Sequence, residues 1–390
     1  MAGLSLVHPA SGRPLRPEGP HVLTDGATRV PAPLGIPYLR PGREGLAAEA
    51  LTALDTQDVD EALVLLLADQ DDNAPVPPPP ADDIRALLRD PRATYREAME
   101  ALRFGPVATY FAHRQSAPTF LSGLALVAAH RAPGEPLVEL ACGCGHLLRA
   151  ASAAGIACAG VDLVFAKLWL GRRYLLPPST LLACADIAGP PVAVASGPAA
   201  ALCHDALYFI PDRAAVVAAL RSIAGPDGVA LAGHLHLAGW DHGGVAGARL
   251  EAAEWLGLMP GAALYEDAAL AATLVDGTPP EPVAPEALAG REAASLASRP
   301  ARAAPDLALA LPPVEAPLRL NPLLAEDRPG RLSPHWPSPA FAREYANADY
   351  LDAATPPPER LEAARLGHRD DPMLARLARR RVLVDLPEAW

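Results

Sequence analysis

Acids, glycines and thiols crowd together between Pro136 and Asp162, in the stretch PLVELACGCGHLLRAASAAGIACAGVD. An apolar run carries Glu139 and passes into the tight loop Ala141-Cys142-Gly143-Cys144-Gly145. A helix-periodic segment follows, and a second apolar run ends on Asp162. Acids at the carboxyl ends of two strands can accept hydrogen bonds from a nucleoside-like cofactor, and glycines let the backbone approach it. This pattern ranks an enzyme with a diffusible cofactor above a scaffold or a nucleic-acid binder. Cys142, Cys144 and His146 do not have the spacing of a structural metal site, and two of them fall in a loop whose backbone must stay free. No metal is expected. A helix start beside Cys144 leaves a reactive thiol there open.

The elements that must hold these groups recur at even spacing. Strand-like runs carry Glu139, Asp162, Asp186 and the pair His204-Asp205, with acid-to-acid intervals of 23, 24 and 19 residues. Helix-compatible segments lie between them at 146–154, 165–175 and 212–223. The turn Gly225-Pro226-Asp227-Gly228 leads into a fifth apolar run, Val229–Leu237, where alternation places His234 and His236 on one face. Strands alternating with helices at this period predict an α/β fold, a parallel sheet with right-handed crossovers.

Over residues 92–240 the chain resembles the class I S-adenosylmethionine-dependent methyltransferases. The resemblance rests on five segments in order: Glu139–Gly145, Gly160-Val161-Asp162-Leu163, Ala185-Asp186-Ile187, Cys203-His204-Asp205-Ala206-Leu207 and Gly225–Gly228. Ala141 stands where the family often has glycine, and His146 where a third glycine is common. The resemblance implies a doubly wound, mostly parallel, seven-stranded Rossmann-like sheet and S-adenosyl-L-methionine as cofactor. It assigns the cofactor to Glu139, Ala141, Cys142, Gly143, Gly145, Asp162, Leu163, Asp186, Ile187 and Asp205. Asp162 would meet the ribose, Leu163 and Ile187 the adenine, and Asp186 its amino group. Glu139 and Asp205 would lie nearest the methionine amino end and the sulfonium. The reading requires Gly143–Gly145 to be open and Asp162 to face the hollow. Where the acceptor needs a base, His204 and His236 are the candidates, with pocket-lining or capping as their alternative role.

Residues 1–45 resemble a degenerate zinc-ribbon-like methyltransferase-activator module. His8-Pro9-Ala10-Ser11 stands where that module has a Cys pair, and Gly35-Ile36-Pro37 matches its closing segment. With no Cys before Cys142, four zinc ligands are not available. A helical, Pro-rich linker (46–91) precedes the core (92–275). A Pro/Ala-rich extension (276–390) is expected to complete the sheet or form an acceptor lid from Trp336, Phe341, Tyr345 and Tyr350. Helical stretches are expected near 247–258 and 285–297, and strands at Leu307–Leu311 and Leu318–Leu324.

Composition narrows the partners. The net charge of −12 argues against a phosphate-backbone ligand. Neither a signal-like opening nor a membrane-spanning run is seen, and five Cys clustered between Cys142 and Cys203 suit a reducing cytoplasm rather than a disulfide framework. The favoured reading is a cytoplasmic methyltransferase acting on a small-molecule O, N or C nucleophile. A catalytically silent scaffold of the same fold is the alternative, and an RNA methyltransferase a subordinate one.

Overall fold

The computed structural model describes residues 3–71, 76–345, 353–367 and 371–390. Strands β1 (Leu137–Leu140), β2 (Cys158–Asp162), β3 (Leu181–Cys184), β4 (Ala200–His204), β5 (Val229–His236), β6 (Ala263–Glu266) and β7 (Ala293–Ala297) form one sheet in the order β3-β2-β1-β4-β5-β7-β6. The first five are parallel, and β7 runs antiparallel to β5 and β6. This is the doubly wound, mostly parallel Rossmann-like arrangement. Strand order reverses direction between β1 and β4, so a crevice forms above their carboxyl ends.

The strands are apolar on both faces because helices cover both. Leu137, Leu182, Leu202 and Leu231 enter one core with α2 (Pro118–His130), α3 (His146–Ala153) and α4 (Phe165–Leu170). Their neighbours Val138, Ala183, Ala201 and Ala232 enter a second core with α5 (Arg213–Ala224) and α6 (Ala252–Leu258). Asp212 starts α5 by accepting from the Ala215 amide at 3.0 Å. Ahead of α2, the short helix α1 (Pro106–His113) crosses the carboxyl edge of the sheet. Helix α7 (Asp267–Asp276) follows β6 and packs on α2.

Three short N-terminal strands, Arg16–Pro17, Val22–Thr24 and Arg29–Pro31, form a small antiparallel sheet. The next segment lies along β3: the Cys184 amide donates to the Pro37 carbonyl (2.9 Å) and the Leu39 amide to the Cys184 carbonyl (2.7 Å). Leu4–Leu6 pairs with Ala193–Ala195. The N-terminal region is therefore bonded to the β3 edge of the sheet and to the segment that follows it.

Two sequence expectations are corrected in the C-terminal half. Ala293–Ala297 is a strand, not the end of a helix: all five residues are buried between β5 and β6, and that burial outweighs the high helix propensity of its three alanines. Leu307–Ala310 is a single 3-10 turn, with Asp306 accepting from the Ala308 amide. Trp336, Phe341 and Tyr345 stack on one another with ring centres 4.4–5.8 Å apart. Tyr350 lies outside the described residues.

Candidate functional site

The Gly143–Gly145 loop leaves β1 with three residues in left-handed backbone, Ala141 (φ 55°), Gly143 (57°) and Gly145 (81°). Asp162 fixes it. One carboxylate oxygen accepts from the Gly143 amide at 2.9 Å, the other from the Val164 amide at 3.0 Å, and the Lys167 ammonium stands 3.5 Å away. Asp162 thus reaches the loop from β2, and it serves first to shape the loop. A carboxylate has about four acceptor sites, so these contacts do not exhaust it. Leu163 is half-buried and Ile187 buried; Asp186 is exposed, closing its own turn on the Ala188 amide.

Glu139 lies beneath the loop. It is buried, and its Oε2 has no hydrogen-bond partner among the described residues. Burial raises its pKa to about 8; Arg114 opposes the rise and Asp162 adds to it. An unmatched buried carboxyl of this kind fits a cationic group brought by a ligand. The Cys144 thiol is pushed up to about 12 by burial, which outweighs the helix start beside it, so the open reading of a reactive thiol falls away.

The expectation that Gly143–Gly145 stands open is corrected by the structure: side chains packed from α1 and from Leu176 cover the loop. A Cβ on Gly143 would come within 2.7 Å of the Phe111 ring, and one on Gly145 within 2.7 Å of Leu176. Phe111 lies parallel to His146, their ring centres 6.3 Å apart. Helix α1, which carries Phe111, is held in turn by Trp390, whose indole donates to the Ala112 carbonyl at 2.6 Å. The space over Gly143 therefore accommodates a flat ring, and a side chain of this chain fills it.

Beyond the loop, the ends of β4 and β5 bring several charged and aromatic groups together. Asp205 and His234 both take left-handed backbone (φ 56° and 53°), and the Asp205 amide donates to the Gly233 carbonyl. Non-glycine residues in this region cost about 1–3 kcal/mol each and concentrate at functional sites. Asp205 Oδ2 accepts from Tyr110 at 2.9 Å and pairs with Arg114 at 3.2 Å; Oδ1 accepts from Tyr208 at 2.6 Å and lies 3.9 Å from His234 Nε2. His234 Nδ1 meets Asp267 Oδ2 at 2.9 Å, and Ser122 and Ser295 both donate to that carboxylate. Two carboxylates around one imidazole raise the His234 pKa to about 9 in spite of burial.

The two expected bases fare differently from His234. His204 is wedged between Gly123 and Gly233, with Nε2 2.9 Å from the Thr119 carbonyl. Burial lowers its pKa to about 4. It fills a packing position. The His236 ring is sandwiched between Tyr208 and His242 at 3.6 and 3.9 Å. Cys142 is buried against Gly160.

On the segment before the core, Tyr110, Phe111, His113 and Arg114 are candidates from the sequence to cover the cofactor; the structure puts Phe111 on the loop, Tyr110 and Arg114 on Asp205, and His113 against Phe341 and Trp390. The sequence carries no signal for Asp267, which meets His234, or for Ser122 and Ser295, which donate to Asp267 from elements far apart in the chain. A cavity of ≈ 660 Å³ lies elsewhere, at the amino end of β5, between the turn before it and Arg299. That guanidinium is bonded to His130, Asp227 and Glu135, and Arg221, which also lines the cavity, donates to the Pro260 carbonyl at 3.1 Å.

No protein-family model matches the chain, and no curated protein does. Solved structures similar to it include a complex between the Haloferax volcanii Trm112 methyltransferase activator and a methyltransferase, at 17% identity and TM-score 0.33, covering 44% of this chain and 78% of that one. A Bacillus halodurans methyltransferase is similar at 18% identity and TM-score 0.31, covering 37% and 70%. A Haemonchus contortus phosphoethanolamine N-methyltransferase in complex with phosphomonomethylethanolamine and S-adenosylhomocysteine is similar at 14% identity and TM-score 0.30, covering 43% and 40%. The chain's own strand order, rather than these likenesses, carries the fold. Among the described residues, no helix is long and apolar enough to cross a membrane.

Proposed function

We propose that this chain is an S-adenosylmethionine-dependent methyltransferase acting on a small-molecule O, N or C nucleophile. One observation carries the reading: Glu139 is buried beside a glycine loop at the point where strand order reverses, and its Oε2 has no hydrogen-bond partner among the described residues. S-adenosylmethionine supplies a methyl group on a sulfonium, with a neutral thioether as leaving group.

The chain's own residues do the rest. Glu139 meets the ammonium of the methionine end, and Gly143 and Gly145 bring backbone against it. Asp162 holds the loop and offers its remaining acceptor positions to the ribose. Leu163 and Ile187 border the adenine, and Asp186, one of whose oxygens accepts from the Ala188 amide, offers the other to the adenine amino group. A ligand seated on the loop takes the place of the Phe111 ring, so α1 must shift as it enters. On the far side Tyr110, Arg114, Tyr208 and Asp205 form a polar wall for the acceptor. Alignment alone can supply roughly 7–11 kcal/mol of such a displacement. The −12 charge supports a metabolite acceptor over RNA.

Calorimetric titration with S-adenosylmethionine, followed by a screen of labelled methyl uptake into a cell metabolite extract, tests the proposal. Micromolar binding with methyl incorporation is expected. Absence of binding supports the silent-scaffold alternative. Binding without incorporation into metabolites, but with incorporation into RNA, overturns the acceptor assignment.

A further inference from the structure

Asp205, His234 and His236 each present one ligand-type atom, all within 4.8 Å of one another and all buried. Three features of this group exceed what packing requires. First, His234 is oriented as a metal-binding imidazole is. Its Nδ1 is held by Asp267, itself fixed by Ser122 and Ser295, which turns Nε2 toward Asp205 and His236. Carboxylate support of the far ring nitrogen is the usual means of setting tautomer and direction in a histidine ligand.

Second, the 3.9 Å between His234 Nε2 and Asp205 Oδ1 is too long for a hydrogen bond. Two ligands about 2.0–2.2 Å from a shared ion sit at roughly 3–3.5 Å, so a contraction of roughly 0.4–0.9 Å would close the pair on a metal. Third, His236 is 1% exposed, and its ring is clamped flat between Tyr208 and His242, with ring centres 3.6 and 3.9 Å away, which fixes the direction of its nitrogens.

The nearby Arg114 does not block such a site. It addresses Oδ2 of Asp205, with Tyr110, while Oδ1 faces the histidines with Tyr208 as its hydrogen-bond donor. The carboxylate thus divides its two oxygens between a guanidinium and the histidine side.

We propose that Asp205, His234 and His236 form a binding site for a divalent first-row transition-metal ion such as zinc or iron(II). Two imidazoles and one carboxylate suit those ions, and three protein ligands leave coordination positions for water or for an acceptor's oxygen. Only the acceptor role rests on the methyltransferase reading; metal uptake does not, and its test needs neither cofactor nor acceptor.

The test is titration of the chelator-stripped full chain with Co²⁺, followed by visible absorption, and metal analysis after equilibration with Zn²⁺ and desalting. One equivalent per chain is expected, with weak d–d bands and no intense thiolate band. His236→Ala should weaken Co²⁺ affinity at least 100-fold. Asp267→Asn, which keeps all three ligands, should weaken it about 10–100-fold. Circular dichroism identifies a variant that has not folded; for such a case His236→Gln replaces His236→Ala. Uptake below stoichiometry, a thiolate band that assigns the ion to cysteines, or affinity unchanged in both folded variants overturns the site.

Discussion

Replacing Glu139 by Gln should separate stability from ligand binding, because the carboxyl that suits a cationic ligand is costly to the protein alone. In the folded chain its pKa is about 8, raised from 4.5 chiefly by burial. Between those two values the folded state keeps a proton that the unfolded state has lost. Stability from this group is therefore fully present below pH 4.5 and is lost as pH rises through 8. The interval, at 1.36 kcal/mol per pH unit, sets a ceiling of about 5 kcal/mol on the loss. With the side chain almost wholly out of water, solvent screening takes little from that ceiling. Glutamine has the same shape and no charge. Urea melts of wild type and Glu139→Gln at pH 5, 7 and 9 should diverge, the variant gaining up to a few kcal/mol at pH 9 and nearly nothing at pH 5. Other titrating groups cancel in the difference. S-adenosylmethionine affinity should move the opposite way, falling at least tenfold. Parallel pH–stability curves would refute the buried, ionisable Glu139 on which the cofactor assignment depends.

Other perturbations test the loop, its cover and the core beneath. Asp162→Ala removes the acceptor of the Gly143 and Val164 amides and should weaken cofactor binding by ~1–3 kcal/mol, read by calorimetry; wild-type affinity would count against the ribose role. Phe111→Ala should cost ~3 kcal/mol in urea unfolding while speeding cofactor association, since the ring over Gly143 is gone; an unchanged association rate in stopped flow would show that the cover does not gate entry. His146 is fully buried and its pKa is pushed down to about 3. The unfolded chain then takes up a proton that the folded chain refuses, so stability falls as pH drops from 6.5 toward 3. His146→Leu should flatten that acid limb in urea melts, and an unaltered limb would place the acid sensitivity elsewhere.

The cofactor-type half was largely legible because its signals are local. Each of β1 to β4 is short, apolar on both faces and ends near an acid, and both faces are indeed buried. The far end of the sheet was not. Ala293–Ala297 carries no strand signature of its own and becomes a strand only because β5 and β6 flank it. At β5, alternation placed His234 and His236 together, but the local event is a bulge between Ala232 and Leu235 with His234 in left-handed backbone. The Asp267–His234 pair could not be read from spacing, because it joins a helix start to a strand end 33 residues away. Glu139 was legible as a motif acid, whereas the lack of a hydrogen-bond partner for its Oε2 among the described residues is a fact of packing alone.

The cover and the acid–histidine group are not independent. Phe111, on the glycine loop, and Tyr110, on Asp205, are consecutive residues of α1, and Arg114 follows three positions after Phe111. Two neighbouring side chains on a helix cannot be displaced separately by a rigid shift of that helix. Lifting the Phe111 ring from Gly143 therefore loosens the Tyr110 hydroxyl, and with it one of the two groups that hold Asp205 Oδ2. A ligand on the loop and an ion or acceptor at Asp205 then draw on the same helix, and their affinities must be linked reciprocally. Titrating Co²⁺ with and without saturating S-adenosylhomocysteine measures that link. A shift in either direction, mirrored when the order of addition is reversed, is expected. Identical metal affinities in both titrations would mean that α1 stays in place and that the loop admits its ligand by side-chain rotation of Phe111 alone.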